Sequence, residues 1–215
     1  MKHWLLTNLI ATASLLVSMA WSAEERLPFY NSQEFTPHWL APDDEQLADF
    51  HSIPDFSFTN QFGETVTQDN VQGKLYVASF FFTTCPGICP TLKSRLEKVH
   101  ATFKDDDEVM ILSHSIRPST DTVDTLKRYA DKNQIVGDSW QLLTGDQQMT
   151  YKLAKSAYFA SEDLGNIQNT EDFLHTENLL LIDQHRRIRG IYNGLSRSSV
   201  NYLISDIAIL KQELH

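Results

Sequence analysis

Cysteine is scarce in this 215-residue chain: there are two, Cys85 and Cys89, three residues apart and each followed by a proline. Proline is absent after Pro118, and arginine is absent before Arg26. There is no internal repeat and no low-complexity tract. Positive charge is also short, with 18 basic against 28 acidic residues and a formal net charge of −10. Such a surface repels phosphate backbones, so nucleic acid is not expected as a partner. A leader without arginine argues against a mitochondrial transit peptide.

What is present reads as one globular domain with extensions. Hydrophobic residues make up 41% and aromatics 11%, and the length supports a core without staples. After Lys2 the segment "WLLTNLIATASLLVSMAWSA" carries no charge until Glu24. Its apolar run and its small residues at Ser18, Ala20 and Ser22 are those of a secretory signal. The competing reading is an uncleaved anchor, since residues 4–21 are about long enough to cross a bilayer. Residues 1–23 are therefore expected as a signal peptide or membrane anchor, with the domain outside the cytosol, where thiols can oxidise. Without that leader the balance is 17 basic to 28 acidic, or −11. Residues 24–53 are rich in proline, acid and aromatics. They are expected as an ordered extension that buries Phe29, Tyr30, Phe35 and Trp39 on the surface of the domain of residues 54–215. The acidic runs at 43–45 and 105–107 are expected as solvated turns.

From Ile53 the pattern becomes regular. "DFSFTN" and "ETVTQ" flank Gln61-Phe62-Gly63 as a hairpin. "LYVASFFF" (75–82) and "VMIL" (109–112) are continuous apolar runs of central strands covered on both faces. Leu92, Leu96, Val99 and Phe103 mark a helix, Val123, Leu126 and Ala130 a second, and Met149 and Leu153 a short third. "LLLI" (179–182) and "RIRGIY" (187–192) read as adjacent strands before a last amphipathic helix at Val200, Leu203, Ile204, Ile207 and Ala208. The order predicts an α/β thioredoxin-like fold: a mixed sheet flanked by helices, with an N-terminal β-hairpin. In that fold a cysteine motif follows the first central strand, where Cys85 and Cys89 stand.

Pro90 predicts a helix starting there, with Cys89 at the cap and both sulfurs near the positive end of the dipole, which favours thiolate. That geometry suits redox chemistry and metal binding equally. A structural disulfide closing so small a loop would add little stability. A generic thioredoxin-type oxidoreductase has two residues between its cysteines and a later cis-proline facing them, which a chain lacking proline after Pro118 cannot supply. The peroxiredoxin pattern of proline and threonine or serine before the cysteine is also absent. Where the cis-proline would stand is "FLHTENLLLID". His175 precedes the strand expected beside the cysteine-bearing one, and the fold aims it at the sulfurs. Two thiolates and an imidazole favour Cu(I), or Cu(II) with an added oxygen ligand. Zinc is the rival, although a structural zinc normally takes a fourth protein ligand.

These residues resemble the Sco/SenC family of thioredoxin-like copper proteins that assemble the CuA centre of cytochrome c oxidase. The resemblance runs over about residues 54–212, through "TTCPGICPTL", "RPSTDTVDTLKRYA", "WQLLTGD", "FLHTENLLLID" and "RRIRGIYNG". It implies one copper ion per chain on Cys85, Cys89 and His175, and a periplasmic or membrane-anchored setting at the outer face of the inner membrane. It further implies a CuA-bearing oxidase subunit as partner. Where family members commonly carry an Asp-Pro step followed by Arg-Asp-Thr, this chain reads Arg117-Pro118-Ser119-Thr120-Asp121-Thr122, so the first acid is replaced by Arg117 while Asp121 remains. Asp121 and His114 are expected to border the site behind its ligands. His114, at a strand end on that edge, reads either as a further ligand or as a group that only hydrogen-bonds a loop. His38, His51, His100, His185 and His215 are expected as surface groups. Two alternatives use the same cysteines: a thiol–disulfide reductase acting on the acceptor's cysteines, served by a thiol reductant partner, and a redox or copper sensor.

Overall fold

The computed structural model describes residues 26–160 and 176–214. An antiparallel hairpin, β1 (Ser57–Thr59) and β2 (Thr65–Thr67), precedes the first central strand, β3 (Leu75–Phe81). There follow α1 (Cys89–Phe103), β4 (Val109–Ser115), α2 (Val123–Asn133), β5 (Trp140–Leu143) and α3 (Gln147–Lys152). A π-helical turn over Leu153–Ala157 continues α3. The chain ends with β6 (Asn178–Ile182), β7 (Ile188–Asn193) and α4 (Arg197–Gln212).

The five-stranded sheet has the order β5-β4-β3-β6-β7. β3, β4 and β5 are parallel, and β6 runs antiparallel to β3 with Ala78 opposite Leu180. This is the mixed thioredoxin-like sheet expected from the order of elements. All seven residues of β3 and all seven of β4 are buried, which explains their unbroken apolar runs. Leu75, Val77 and Phe81 face α1, α2 and α4 through Leu92, Leu96, Leu126, Val200 and Leu203. Tyr76, Ala78 and Phe80 face the hairpin and the π-helical turn through Phe58, Val66, Leu153 and Ala157. Each such large apolar side chain contributes about 1.5–3 kcal/mol on burial, so the two layers fix the level at which β3 ends.

Both sheet edges are covered, which blocks pairing with another chain. At β5, Gln61 is fully buried, donating to the Trp140 carbonyl at 3.0 Å and accepting from the Leu142 amide at 2.8 Å. At β7, Tyr30 of the extension donates to the Ile188 carbonyl at 3.0 Å. Phe29 buries as expected, whereas Trp39 is 70% exposed. The expectation for Trp39 fails because the extension pairs with the domain through Phe29 and Tyr30, and it is the half-buried His38 beside it that turns its ring to Phe50. The histidine expectations also divide. His51 donates from Nε2 to the Ala157 carbonyl oxygen at 2.7 Å, with its ring 4.5 Å from that of Phe159; His100 contacts Ser139 and Trp140. Both are half-buried rather than surface groups.

Candidate metal centre

β3 delivers the chain to the site, and a tight turn follows in which the Cys85 amide donates to the Phe82 carbonyl at 3.2 Å. The proline-rich step through Pro86 and Gly87 then enters α1. The helix starts one residue earlier than the proline predicts: Ile88 is the cap, and Cys89 is the first helical residue with Pro90 after it. Pro90 tolerates this because its missing N–H is one the first turn leaves unpaired anyway. No side chain caps α1 and its first turn holds no acid, so the positive end of the dipole is uncompensated beside the sulfurs.

Both cysteines are free thiols, Cys85 half-buried and Cys89 buried. Burial pushes the Cys89 thiol up to about 12, and its hydrogen bond to Cys85 adds to the shift. A backbone hydrogen bond from Phe82 works in the opposite direction. The expected preference for thiolate is therefore overturned at Cys89. As the first residue of α1 it packs with Leu92, Leu96 and Phe81, and desolvation of a charged sulfur outweighs the dipole. A soft metal reverses this balance, since a coordinating thiol is deprotonated outright.

Tyr129 on α2, which sequence reasoning missed, packs its ring 5.6 Å from that of Phe81 and shares a narrow crevice with Cys89, Leu92 and Trp140. Its phenol is pushed up to about 12, first by burial and then by the nearby charges of Cys89 and Cys85. The only sequence signal was its place one residue before Ala130 on an amphipathic helix.

Asp121 is fully buried behind the cysteine loop. Its carboxylate accepts from the Thr83 amide at 3.1 Å, the Thr83 hydroxyl at 2.5 Å and the Ser115 hydroxyl at 2.5 Å. Arg117 lays its guanidinium over the Phe82 ring, 4.3 Å from the centroid. The structure does not bring His114 to the sulfurs. It stands opposite Phe80 in the β3–β4 register, with its ring among Phe56, Phe58, Phe80 and Tyr158 in the core on the other side of the sheet from Cys89. Neither ring nitrogen has a hydrogen-bond partner. The alternation of β4 turns Ser113 and Ser115 toward the cysteine side and His114 away.

His175 lies outside the described residues, as do residues 1–25. Among the described residues no group of three or more His, Cys, Asp and Glu side chains could hold a metal ion. The antiparallel pairing does set the start of β6 beside the end of β3 from which the cysteine loop departs.

Comparison with known proteins decides the family. The SCO1/SenC family model matches residues 44–210. The chain belongs to the SCO1/SenC family. Among its SCO1/SenC relatives, the SCO1 protein homolog of Bacillus subtilis (strain 168) is 26% identical over 162 residues, covering 73% of this chain and 81% of the relative. The crystal structure of a SCO1/SenC family lipoprotein from Bacillus anthracis str. Ames is 28% identical, with a TM-score of 0.67 over 75% of this chain and 95% of that one. The structure of Bradyrhizobium japonicum ScoI with copper bound is 25% identical, with a TM-score of 0.59 over 74% of this chain and 99% of that one. Among the described residues of this SCO1/SenC chain, no helix is long and apolar enough to cross a membrane.

Proposed function

We propose that this protein is a copper metallochaperone: it holds one copper ion on Cys85, Cys89 and His175 and delivers it to the CuA site of a cytochrome c oxidase subunit during assembly. The observation that carries this reading is the pair of free thiols, one half-buried and one buried, at the uncapped start of α1. Membership of the SCO1/SenC family and the copper-bound ScoI relative support copper as the cargo. A soft two-sulfur donor set prefers Cu(I), and a neutral imidazole from His175 completes a trigonal site. Cys89 is the buried anchor and Cys85, more open, is the sulfur from which the ion is passed by ligand exchange. We propose the outer face of the inner membrane or the periplasm as its setting, a reading supported by the signal-like pattern of residues 1–23.

Anaerobic Cu(I) titration of the reduced protein tests this reading. One tight site that weakens sharply in His175→Ala is the expected result. A second reading, thiol–disulfide reduction of the acceptor's cysteines, draws on the same pair of thiols and has no use for His175. Copper binding unchanged in His175→Ala, with reduction of an acceptor disulfide dependent on both cysteines, would replace the chaperone with the reductase. Mass spectrometry of the mature N-terminus tests the placement.

A further inference from the structure

Asp121 touches neither sulfur by any hydrogen bond, yet it is tied to the cysteine loop through one dipeptide. Its carboxylate accepts both the amide and the hydroxyl of Thr83. The preceding residue, Phe82, accepts from the Cys85 amide with its carbonyl at 3.2 Å, and Phe81 before it packs with Cys89 in the core. On its other side the carboxylate takes the Ser115 hydroxyl at the end of β4, and its own amide donates to the Arg117 carbonyl at 2.8 Å. The next residue, Thr122, caps α2. One buried anion thus joins the end of β3, the end of β4 and the start of α2 at the point where the cysteine loop leaves the sheet. A fold that needed only to close this corner could do so with apolar packing. A buried carboxylate with three donors is instead a rigid and directional clamp, since charge-assisted bonds are about twice as strong as neutral ones.

We propose that Asp121 is the positioning residue of the sulfur pair: through Thr83 it fixes the Phe82 carbonyl that holds the Cys85 amide, and so keeps Cys85 beside Cys89 at the separation a single metal ion needs. As a statement about copper this rests on the chaperone reading. As a statement about the two thiols it stands without it. Asn at 121 keeps the shape but loses the charge and one acceptor. Thr83→Val keeps the backbone bond and loses the hydroxyl.

The test uses two readouts on the full chain, with circular dichroism and amide exchange of β3 and β4 as the check on folding. In the reduced metal-free protein, the rate of iodoacetamide alkylation is followed by mass spectrometry at each cysteine. Cys89 is expected to react about tenfold faster in Asp121→Asn and in Thr83→Val than in the parent, with the double variant no faster than either single one. Cu(I) affinity is expected to fall about 10–100-fold in the same variants, the range for groups that orient metal ligands. Parental alkylation and affinity in a folded Asp121→Asn would overturn the proposal. So would a silent Thr83→Val beside an affected Asp121→Asn, because the clamp would then not act through Thr83. A parent protein that takes up no copper, but whose variants show the alkylation change, would sink the copper reading and leave the positioning role in place.

Discussion

The Cys89 thiol is buried at the uncapped start of α1 with the more open Cys85 packed against the same cluster, and burial holds it protonated up to about 12 against an ordinary 9.0. Copper uptake at neutral pH must therefore displace a proton from Cys89. Titrating Cu(I) into weakly buffered, reduced protein at pH 7 with an indicator dye should show that proton release, and Cys89→Ala should release about one proton fewer per copper bound. The same shift has a consequence for stability. Since the native state keeps the proton more tightly than the unfolded chain, the contribution is full below about pH 9 and is lost as pH rises toward 12. The stability gap between the parent and Cys89→Ala, read from urea midpoints, should narrow over that window.

Arg189 lies under the Phe29 ring, its guanidinium carbon 3.9 Å from the centroid, and donates to the Leu27 and Pro28 carbonyls. It also pairs with buried Asp183 at 3.4 Å and with Glu213 at 2.7 Å. One cation thereby ties the extension to β7 and to the end of α4. Arg189→Ala leaves the buried Asp183 carboxylate with only the His185 and Arg187 amides as donors and no charged partner at 3.4 Å, a change that costs about 3–5 kcal/mol. The expected outcome is a matching loss in urea stability together with rapid proteolysis within residues 26–40. Undiminished resistance to protease in that segment would show that Phe29 and the Tyr30–Ile188 bridge suffice to hold it.

Much of this architecture was written locally. Cys89-Pro90 marked the start of α1 to within one residue, because proline is restricted by its own ring. The apolar runs at 75–82 and 109–112 marked buried strands, because only a sheet covered on both faces tolerates them. The same property hid the orientation of His114: with every residue of β4 buried, alternation no longer distinguishes one face from the other, and a histidine at a strand end read either as a group bordering the site or as one that only hydrogen-bonds a loop. Asp121 was visible as a candidate beside the site, but its partner was not. Thr83 lies 38 residues away and meets it only once β3 and β4 pair in register. Arg189 was unreadable for a similar reason, since its partners Leu27, Pro28 and Glu213 come from opposite ends of the chain.

Gly194 sits where β7 turns into α4, its amide donating to the Glu177 carbonyl at 2.7 Å. A Cβ there would run into Leu92 Cδ2 and lie 2.9 Å from the Glu177 carbonyl oxygen. Leu92 is one turn along α1 from Cys89, so the strain would be passed to the first turn of the helix that carries the sulfur. Gly194→Ala is expected to cost about 1–3 kcal/mol by overpacking and to weaken Cu(I) binding as α1 shifts. Leu92→Ala, which makes room for the methyl, should restore part of the copper affinity in the double variant even though it adds its own loss of stability.

His114 is a fully buried polar side chain in the other core. Its ring lies 5.1 Å from that of Phe58 and 5.4 Å from that of Phe80, with both nitrogens buried and unpartnered. Burial lowers its pKa from 6.5 to about 3. The unfolded chain binds the proton that the native state refuses, so this histidine's contribution to stability is present above about pH 6.5 and is lost progressively as pH falls toward 3. His114→Leu removes the two orphaned nitrogens and the acid sensitivity at once. Urea unfolding should show the variant more stable than the parent by about 1–3 kcal/mol at pH 7, with the advantage growing at pH 5. Because the ring faces away from Cys89, Cu(I) affinity should be unchanged. A large loss of copper binding in His114→Leu would mean that the two faces of the sheet are coupled, and that the histidine serves the site from behind after all.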